Sequence, residues 1–450
     1  MNGIYLVDYR VRGVKSLNEW AELSFFKKTI DKNFSPNGYN VKGIYGANGA
    51  GKSGLISSVK ILSSILSRYF YLGNDLVQKH LNDLINKKLE AADYCVQFLG
   101  DNPGKKVLYQ YQLSIGKDSS NRYCLKSESL GMRISTSHKT DFKEVFTVEN
   151  GSIISLGNER VSESQVVKQT VNLLRDSSLT AAYFKTIDHQ EEVSSQDRVL
   201  AQHLLQLLRF GVSLRVCLSK EDMHDDYYIA DVFFSSAYSE KEKALRQLMD
   251  QQAEMRPIKV YELSEEKVPV IKSLFPEYEK LVSQLYYFIR IFKQDLKGIS
   301  IEKREEKNYY YCSLNMQYDG YSIAAEFEST GIKKLIRLFP FLKEMVEGEI
   351  VFIDEFDSNL HDVYLCALLE YLMQYGKGQL CFTTHNIGPM DILRHNKKSI
   401  DFLSVDHKIY SWTSSGNYSP SNLYRSGMIE GSPFNVDSID FLKAFGTGEN

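Results

Sequence analysis

Residues 41–53 read Val-Lys-Gly-Ile-Tyr-Gly-Ala-Asn-Gly-Ala-Gly-Lys-Ser. An apolar strand over 41–45 runs into Gly46-Ala47-Asn48-Gly49-Ala50-Gly51-Lys52-Ser53, the full G-x-x-x-x-G-K-S pattern. Glycines let backbone N–H groups turn inward around phosphates. Lys52 can reach the β- and γ-phosphates, and the Ser53 hydroxyl can hold Mg²⁺. The next segment places Leu55, Val59, Leu62, Leu66 and Tyr69 along one helical face, so a helix opens at the loop and adds its positive end. A chance glycine-rich turn has no reason to carry both flanks. Gly46, Asn48, Gly49, Gly51, Lys52 and Ser53 are the candidate nucleotide contacts.

A phosphate loop needs an acidic strand end beside it. Residues 349–355, Glu-Ile-Val-Phe-Ile-Asp-Glu, supply one. In that setting Asp354 is the expected Mg²⁺ ligand, with Ser53, and Glu355 the carboxylate that polarises attacking water. Alone, an apolar strand ending in Asp-Glu reads equally well as a solvated strand end.

The 450 residues are 43% apolar and 25% charged, which fits a large globular domain or two to three smaller ones. Fifty-four basic residues against 57 acidic give a net charge of −3. That argues against a globally basic nucleic-acid binder and leaves a local basic groove open. The six cysteines are scattered without a C-x-x-C pair, so neither a zinc site nor a disulfide framework is expected. The opening residues lack a charged-then-apolar leader, and no apolar run approaches the ~18 residues that cross a bilayer. A reduced, cytoplasmic protein without a membrane segment is expected.

Strands are expected over 4–12, 21–26 and 41–45, then an antiparallel meander over about 92–156, where alternating stretches are broken by turn residues. Helical spacing dominates 163–175, 197–213, 239–254 and 267–292, with an interruption at 219–235. Strands at 308–316 and 321–327 precede a helix, the acidic strand, another helix and the run Gln-Leu-Cys-Phe-Thr-Thr-His that ends at His385. Strand–helix alternation of this kind signals parallel α/β structure. The expected division is 1–160, an N-terminal lobe with the phosphate loop and meander; 161–292, a helical insertion; and 293–450, a C-terminal lobe.

Three further pieces have a diagnostic order. Glu328-Ser329-Thr330-Gly331-Ile332-Lys333-Lys334 is a Ser-x-Gly turn opening a helix upstream of the acidic strand. Phe356-Asp357-Ser358-Asn359-Leu360-His361 follows that strand directly, and Thr383-Thr384-His385-Asn386 closes the next. The whole resembles the ABC-type ATPase heads of the SMC, RecF and OLD-like group, and most of all the compact AAA family ATPases of prokaryotic antiphage-defence and abortive-infection systems. The resemblance covers about 1–70 and 295–435, including Leu423–Gly427 and Gly431–Phe434 in the tail.

The resemblance implies an α/β P-loop ATPase head with a mixed sheet, flanking helices, an antiparallel meander and a helical insertion. It implies hydrolysis of ATP with Mg²⁺ at a site shared between two subunits, hence a homodimer or higher homo-oligomer. Lys52, Ser53, Asp354, Glu355 and His385 would act from one subunit, while Ser329–Gly331 would cap the γ-phosphate from the other. The signature departs from the usual Leu-Ser-Gly-Gly. Gln97 and Gln78 are the candidates for the glutamine lid, and Arg10 or Arg12 for an adenine contact.

OLD proteins carry a C-terminal Toprim nuclease domain, and about 65 residues after His385 are too few for one. Asp295 with Glu305 and Lys307 loosely fits a nuclease metal pattern, and His224-Asp225-Asp226 a metal cluster; charged solvated segments explain both better. No nuclease activity is expected in this chain, so a toxic or cleaving activity would reside in a separately encoded effector that the ATPase senses for or scaffolds. The alternatives are a RecF- or SMC-like repair ATPase acting on DNA, which the charge does not support, and a slow-turnover nucleotide-binding scaffold.

Overall fold

A computed structural model describes residues 3–26, 30, 36, 38–102, 105–134, 141–157, 165–170, 173–187, 198–218, 263–307, 309–396, 398–413, 418–430, 432 and 445–446. The fold is mixed α/β, as expected. Its central sheet has six strands in the order Ile409–Ser411, Ile400–Leu403, Val41–Tyr45, Gln379–Thr383, Ile350–Ile353, Leu214–Cys217. All neighbours are parallel except the edge strand Ile409–Ser411. Val41–Tyr45, Ile350–Ile353 and Gln379–Thr383 are buried along their whole length. A strand covered on both faces has no polar side to show, which is why these stretches read as continuous apolar runs.

One face of this sheet is covered by the helix Lys52–Ser67, which is itself roofed by a seven-stranded antiparallel sheet. That roof runs in the order Ala21–Ser24, Tyr5–Arg12, Ala91–Asn102, Lys105–Lys117, Tyr123–Ile134, Lys143–Glu149, Ser152–Leu156, and it contains the expected meander. The other face is covered by the helices Thr330–Glu347 and Asp362–Tyr375 through Leu338, Leu342, Leu365 and Leu369. Gln379 joins the two sheets: its amide donates to the Leu6 carbonyl at 2.9 Å and its Oε1 accepts from the Leu6 N–H at 2.7 Å. Leu6 lies beyond Asp8–Val11, the stretch of its strand that pairs with Ala21–Ser24.

The expected helical insertion over 161–292 needs correction. The helix Leu179–Ile187 and the helix Arg198–Ser213 lie in the same core as Lys52–Ser67. Leu214–Cys217 is the sixth strand of the central sheet, parallel to Ile350–Ile353. Val268–Ile271, inside the stretch expected as helix 267–292, pairs with Tyr309–Tyr318; the helix proper is Phe275–Phe292. Leu214–Cys217 buries alternate side chains, but four residues directly after the helix expected over 197–213 are too short a run to mark a strand. The expected helix at 239–254 and the 219–235 interruption lie outside the described residues.

Candidate nucleotide-binding site

The phosphate loop connects the end of Val41–Tyr45 to the helix Lys52–Ser67, and its geometry follows from its glycines. Gly51 holds φ +106°, and a Cβ there would lie 2.7 Å from the Leu17 side chain, so position 51 admits only glycine. The helix opens at Gly51 without a side-chain cap and without an acidic residue in its first turn. Its N-terminal dipole end is therefore unneutralised by the chain itself, the arrangement that favours a bound phosphate. Lys52 is buried and folds back on the loop, donating to the Gly46 carbonyl at 2.8 Å and the Ala47 carbonyl at 3.0 Å. Desolvation lowers its pKa, opposed by Asp354, Glu355 and Asp357.

Asn48, Gly49, Gly51, Lys52, Ser53, Asp354, Glu355 and His385 line one cavity of about 290 Å³. Eight of the expected site residues, separated by up to several hundred positions in sequence, thus converge on one space. Gly46 contributes its carbonyl to Lys52 from just behind the wall. Asp354 is 2% exposed; its Oδ1 accepts from the Thr383 hydroxyl at 2.5 Å, and its Oδ2 is buried without a hydrogen-bond partner among the described residues. A buried carboxylate oxygen left unpaired is costly unless something else binds it. With the Ser53 hydroxyl on the same wall, that oxygen fits a divalent cation.

Glu355 is exposed and sits in the left-handed region at φ +49°. For a glutamate this backbone costs on the order of 1–3 kcal/mol and persists only when neighbours fix it. Two do so: its N–H donates to Thr383 Oγ1 at 2.8 Å, and its carbonyl accepts from the Lys334 ammonium. His385 stands at the end of the next strand, and desolvation, followed by the Lys52 charge, lowers its pKa. Both effects favour the neutral ring, which offers one donor and one acceptor.

Ser329 and Gly331 do not line this cavity. Ser329 is exposed and caps its own helix, its hydroxyl accepting from the Ile332 N–H at 3.4 Å. The turn packs instead on the loop after the acidic strand: a Cβ at Gly331 would lie 2.9 Å from the Asn359 carbonyl oxygen.

Other candidates are set aside by their partners. Gln78 bridges the Leu72 and Tyr123 backbones, and Gln97 donates to the Gln110 side chain at 3.0 Å within the antiparallel sheet. Arg10 pairs with Asp8 and Glu22; Arg12 pairs with Asp93 at 2.8 Å and lies over the Trp20 ring. None of the four lines the cavity. Glu305 is engaged by Lys272 and stands at the far end of the strand Gly298–Glu305, roughly 24 Å from Gly298 at ~3.4 Å per residue, while Asp295 precedes that strand and pairs with Lys293. No group of three metal-binding side chains occurs among the described residues, and His224-Asp225-Asp226 lies outside them.

Four residues enter that sequence reading did not assign. Lys15 and Ser16, from the turn after Tyr5–Arg12, line the cavity beside Gly51 and Gly54. His407, between Ile400–Leu403 and Ile409–Ser411, donates through Nδ1 to the Ala50 carbonyl at 2.9 Å and props the loop from outside. Thr383 holds both acidic residues. Only Thr383, inside the quoted Thr-Thr-His run, carried any signal.

Residues 216–391 match an AAA domain. The family is described as "AAA domain, putative AbiEii toxin, Type IV TA system". The AAA match includes Ser329, Gly331, Asp354, Glu355 and His385 but not the phosphate loop, so loop and matched segment meet in the cavity from independent parts of the chain. No curated protein matches the chain. Among solved structures, an SMC head bound to the C-winged helix domain of ScpA is 14% identical, with 92% of this chain and 98% of that chain covered and a TM-score of 0.43. The SMC head domain from Thermotoga maritima is 13% identical, with 91% and 100% covered and a TM-score of 0.32. Among the described residues no helix is long and apolar enough to cross a membrane.

Proposed function

We propose that this chain hydrolyses ATP to ADP and phosphate at a site closed between two copies, and that it acts as sensor or scaffold for a separately encoded effector in phage defence. The observation that carries the first part is the convergence of the phosphate loop with Asp354, Glu355 and His385 on one cavity. Lys52 leaves its loop carbonyls for the phosphates, and the unpaired helix end receives the same charge. Ser53 and Asp354 would hold Mg²⁺, which would supply neutralisation of the phosphate charge. Glu355 accepts the proton of the attacking water, and His385 orients the γ-phosphate by hydrogen bond.

Exposed Ser329, with a hydroxyl and a helix N-terminus at an outward-facing turn, supports a second copy's nucleotide as its ligand. The family description names a putative toxin of a type IV TA system, which supports a second, separately encoded chain as partner, while the defence setting is what the resemblance of the sequence implies. Hydrolysis by the purified full chain tests the catalytic part. Lys52→Ala is expected to abolish binding or turnover, because a charge-assisted contact is roughly twice as strong as a neutral one. Wild-type affinity and turnover in folded Lys52→Ala would overturn it.

A further inference from the structure

The strand Tyr309–Tyr318 pairs with Val268–Ile271 and Tyr321–Ala324 on one side and with Gly298–Glu305 on the other. Among the described residues no strand lies beyond Gly298–Glu305, which is therefore an edge. The ladder fixes which of its backbone groups face outward. The Glu306 N–H donates to the Tyr309 carbonyl at 2.9 Å, and hydrogen-bonded pairs alternate along an antiparallel ladder. Arg304, Glu302 and Ser300 thus turn their backbones to Tyr309–Tyr318, while Ile299, Ile301 and Lys303 turn theirs out.

A groove lies beside those same three residues. The helix Phe275–Phe292 packs on this sheet through Leu285 and Ile289 against Leu314 and Met316, and it overhangs the edge. Glu279, Val282, Ser283 and Tyr286 form one stripe of that helix and, with Ile299, Ile301 and Lys303, line a cavity of about 380 Å³. None of these residues lines the nucleotide cavity. An added strand thus meets unpaired backbone groups and a side-chain slot at the same three positions.

We propose that the edge Ile299–Lys303 takes up an extended segment of another protein as a further antiparallel strand, with two apolar side chains and one carboxamide in the groove. The proposal stands apart from the nucleotide reading. Backbone pairing supplies the contact, and alternate side chains supply the selection. The direction follows from this sheet, in which every pair is antiparallel. Opposite Ile299 and Ile301, and facing Val282 and Tyr286, the groove suits Val, Ile or Leu. Opposite Lys303 it carries both charges. The Lys303 ammonium lies 3.9 Å from the Phe275 ring centre and 4.8 Å from that of Tyr310, and no ion pair holds it or Glu279 among the described residues. A Gln or Asn amide answers both walls, its carbonyl toward the ammonium and its N–H toward Glu279. A carboxylate there is repelled by Glu279, and a cation by Lys303. The groove-facing residues of the edge itself include no amide, which argues for a different chain over a second copy. Exposed charge at Glu302, Arg304 and Glu305 blunts the far half of the edge against unselective pairing, whereas Gly298–Ile301 carries none.

The probe is a fluorescent, end-capped peptide, Thr-Gln-Thr-Val-Thr-Val-Thr, whose Gln and two Val fall opposite Lys303, Ile301 and Ile299. Its binding to the full chain is read by anisotropy. Saturable binding is expected, weakened about tenfold or more when both Val amides are N-methylated, since two hydrogen bonds are lost. Replacing the Gln by Glu or by Lys should weaken it as well. Ser283→Arg fills the groove from an exposed helical position and should abolish binding with the melting midpoint unchanged. Should Ser283→Arg not fold, Lys303→Pro decides: it removes an outward N–H but no ladder bond, as edge strands tolerate, and should also lose the peptide. No saturable binding by the wild type overturns the proposal, as does binding indifferent to N-methylation or to both variants. Concentration-dependent self-association without peptide, abolished by Ser283→Arg, overturns it in favour of a second copy.

Discussion

The Thr383 hydroxyl donates to Asp354 Oδ1 at 2.5 Å and accepts from the Glu355 N–H at 2.8 Å, so one side chain sets both acidic residues. With Oδ1 occupied, Asp354 keeps Oδ2 buried and without a hydrogen-bond partner among the described residues, in a residue that lines the cavity. Thr383→Val keeps the shape and removes the hydroxyl, leaving Oδ1 and the Glu355 N–H unpaired. The cost is expected to be ~1–3 kcal/mol of stability, read by denaturant unfolding. The variant should also need more Mg²⁺ for nucleotide binding, read by titration. Unchanged stability and Mg²⁺ dependence would contradict the assignment.

A second relationship holds the phosphate-loop strand in register. Lys42 and Asp401 form an ion pair at 2.6 Å, at 1% and 0% side-chain exposure, between adjacent strands. Lys42 also donates to the Lys398 carbonyl at 2.5 Å. Removing one partner strands the other charge in the core, so Lys42→Met is expected to cost about 3–5 kcal/mol. Lys42→Met with Asp401→Leu should recover much of that loss. A double variant as unstable as the single would show that packing, not the stranded carboxylate, sets the cost.

The pH dependence of stability has a predicted sign. Glu128 is 1% exposed and accepts from the Tyr111 hydroxyl and the Leu179 N–H, both at 2.9 Å. Burial raises its pKa to about 7, and burial raises that of Glu349 to about 7 as well. An unfolded glutamate titrates near ~4.3. The folded chain therefore binds these protons more tightly, and their contribution is full below about pH 4.3 and lost as pH rises through about 7. Glu128→Gln keeps one acceptor oxygen, for the Leu179 N–H, and turns its amide N–H toward the Tyr111 hydroxyl, which can accept; without a titrating group it should flatten the decline of the melting midpoint between pH 5 and 8. An unaltered slope would contradict the assignment.

What was legible in the sequence was whatever is encoded locally. The phosphate loop fits within eight residues, and the acidic strand announces itself because a strand covered on both faces is continuously apolar until Asp354. The residues that complete or prop the site arrive by topology instead. Lys15 and Ser16, which line the cavity, come from a turn about thirty positions upstream of the loop, and His407, which holds the loop from outside, comes from the turn between the last two strands at one edge of the central sheet. No spacing rule links them to Lys52. Leu214–Cys217 was hidden for a different reason: its alternation spans only four residues, and its pairing with Ile350–Ile353 is what marks it as a strand.

The shared site is tested most directly by sedimentation of Glu355→Gln with and without Mg-ATP. Glutamine keeps the size of the side chain and the Asp354 site but removes the base, which typically costs ~10²–10⁴ in rate, so bound ATP persists. ATP then favours the paired state by its differential affinity for it. The expected result is association that requires Mg-ATP and disappears in Glu355→Gln with Ser329→Arg. Association indifferent to nucleotide and to Ser329, or undiminished hydrolysis by Glu355→Gln, would contradict it.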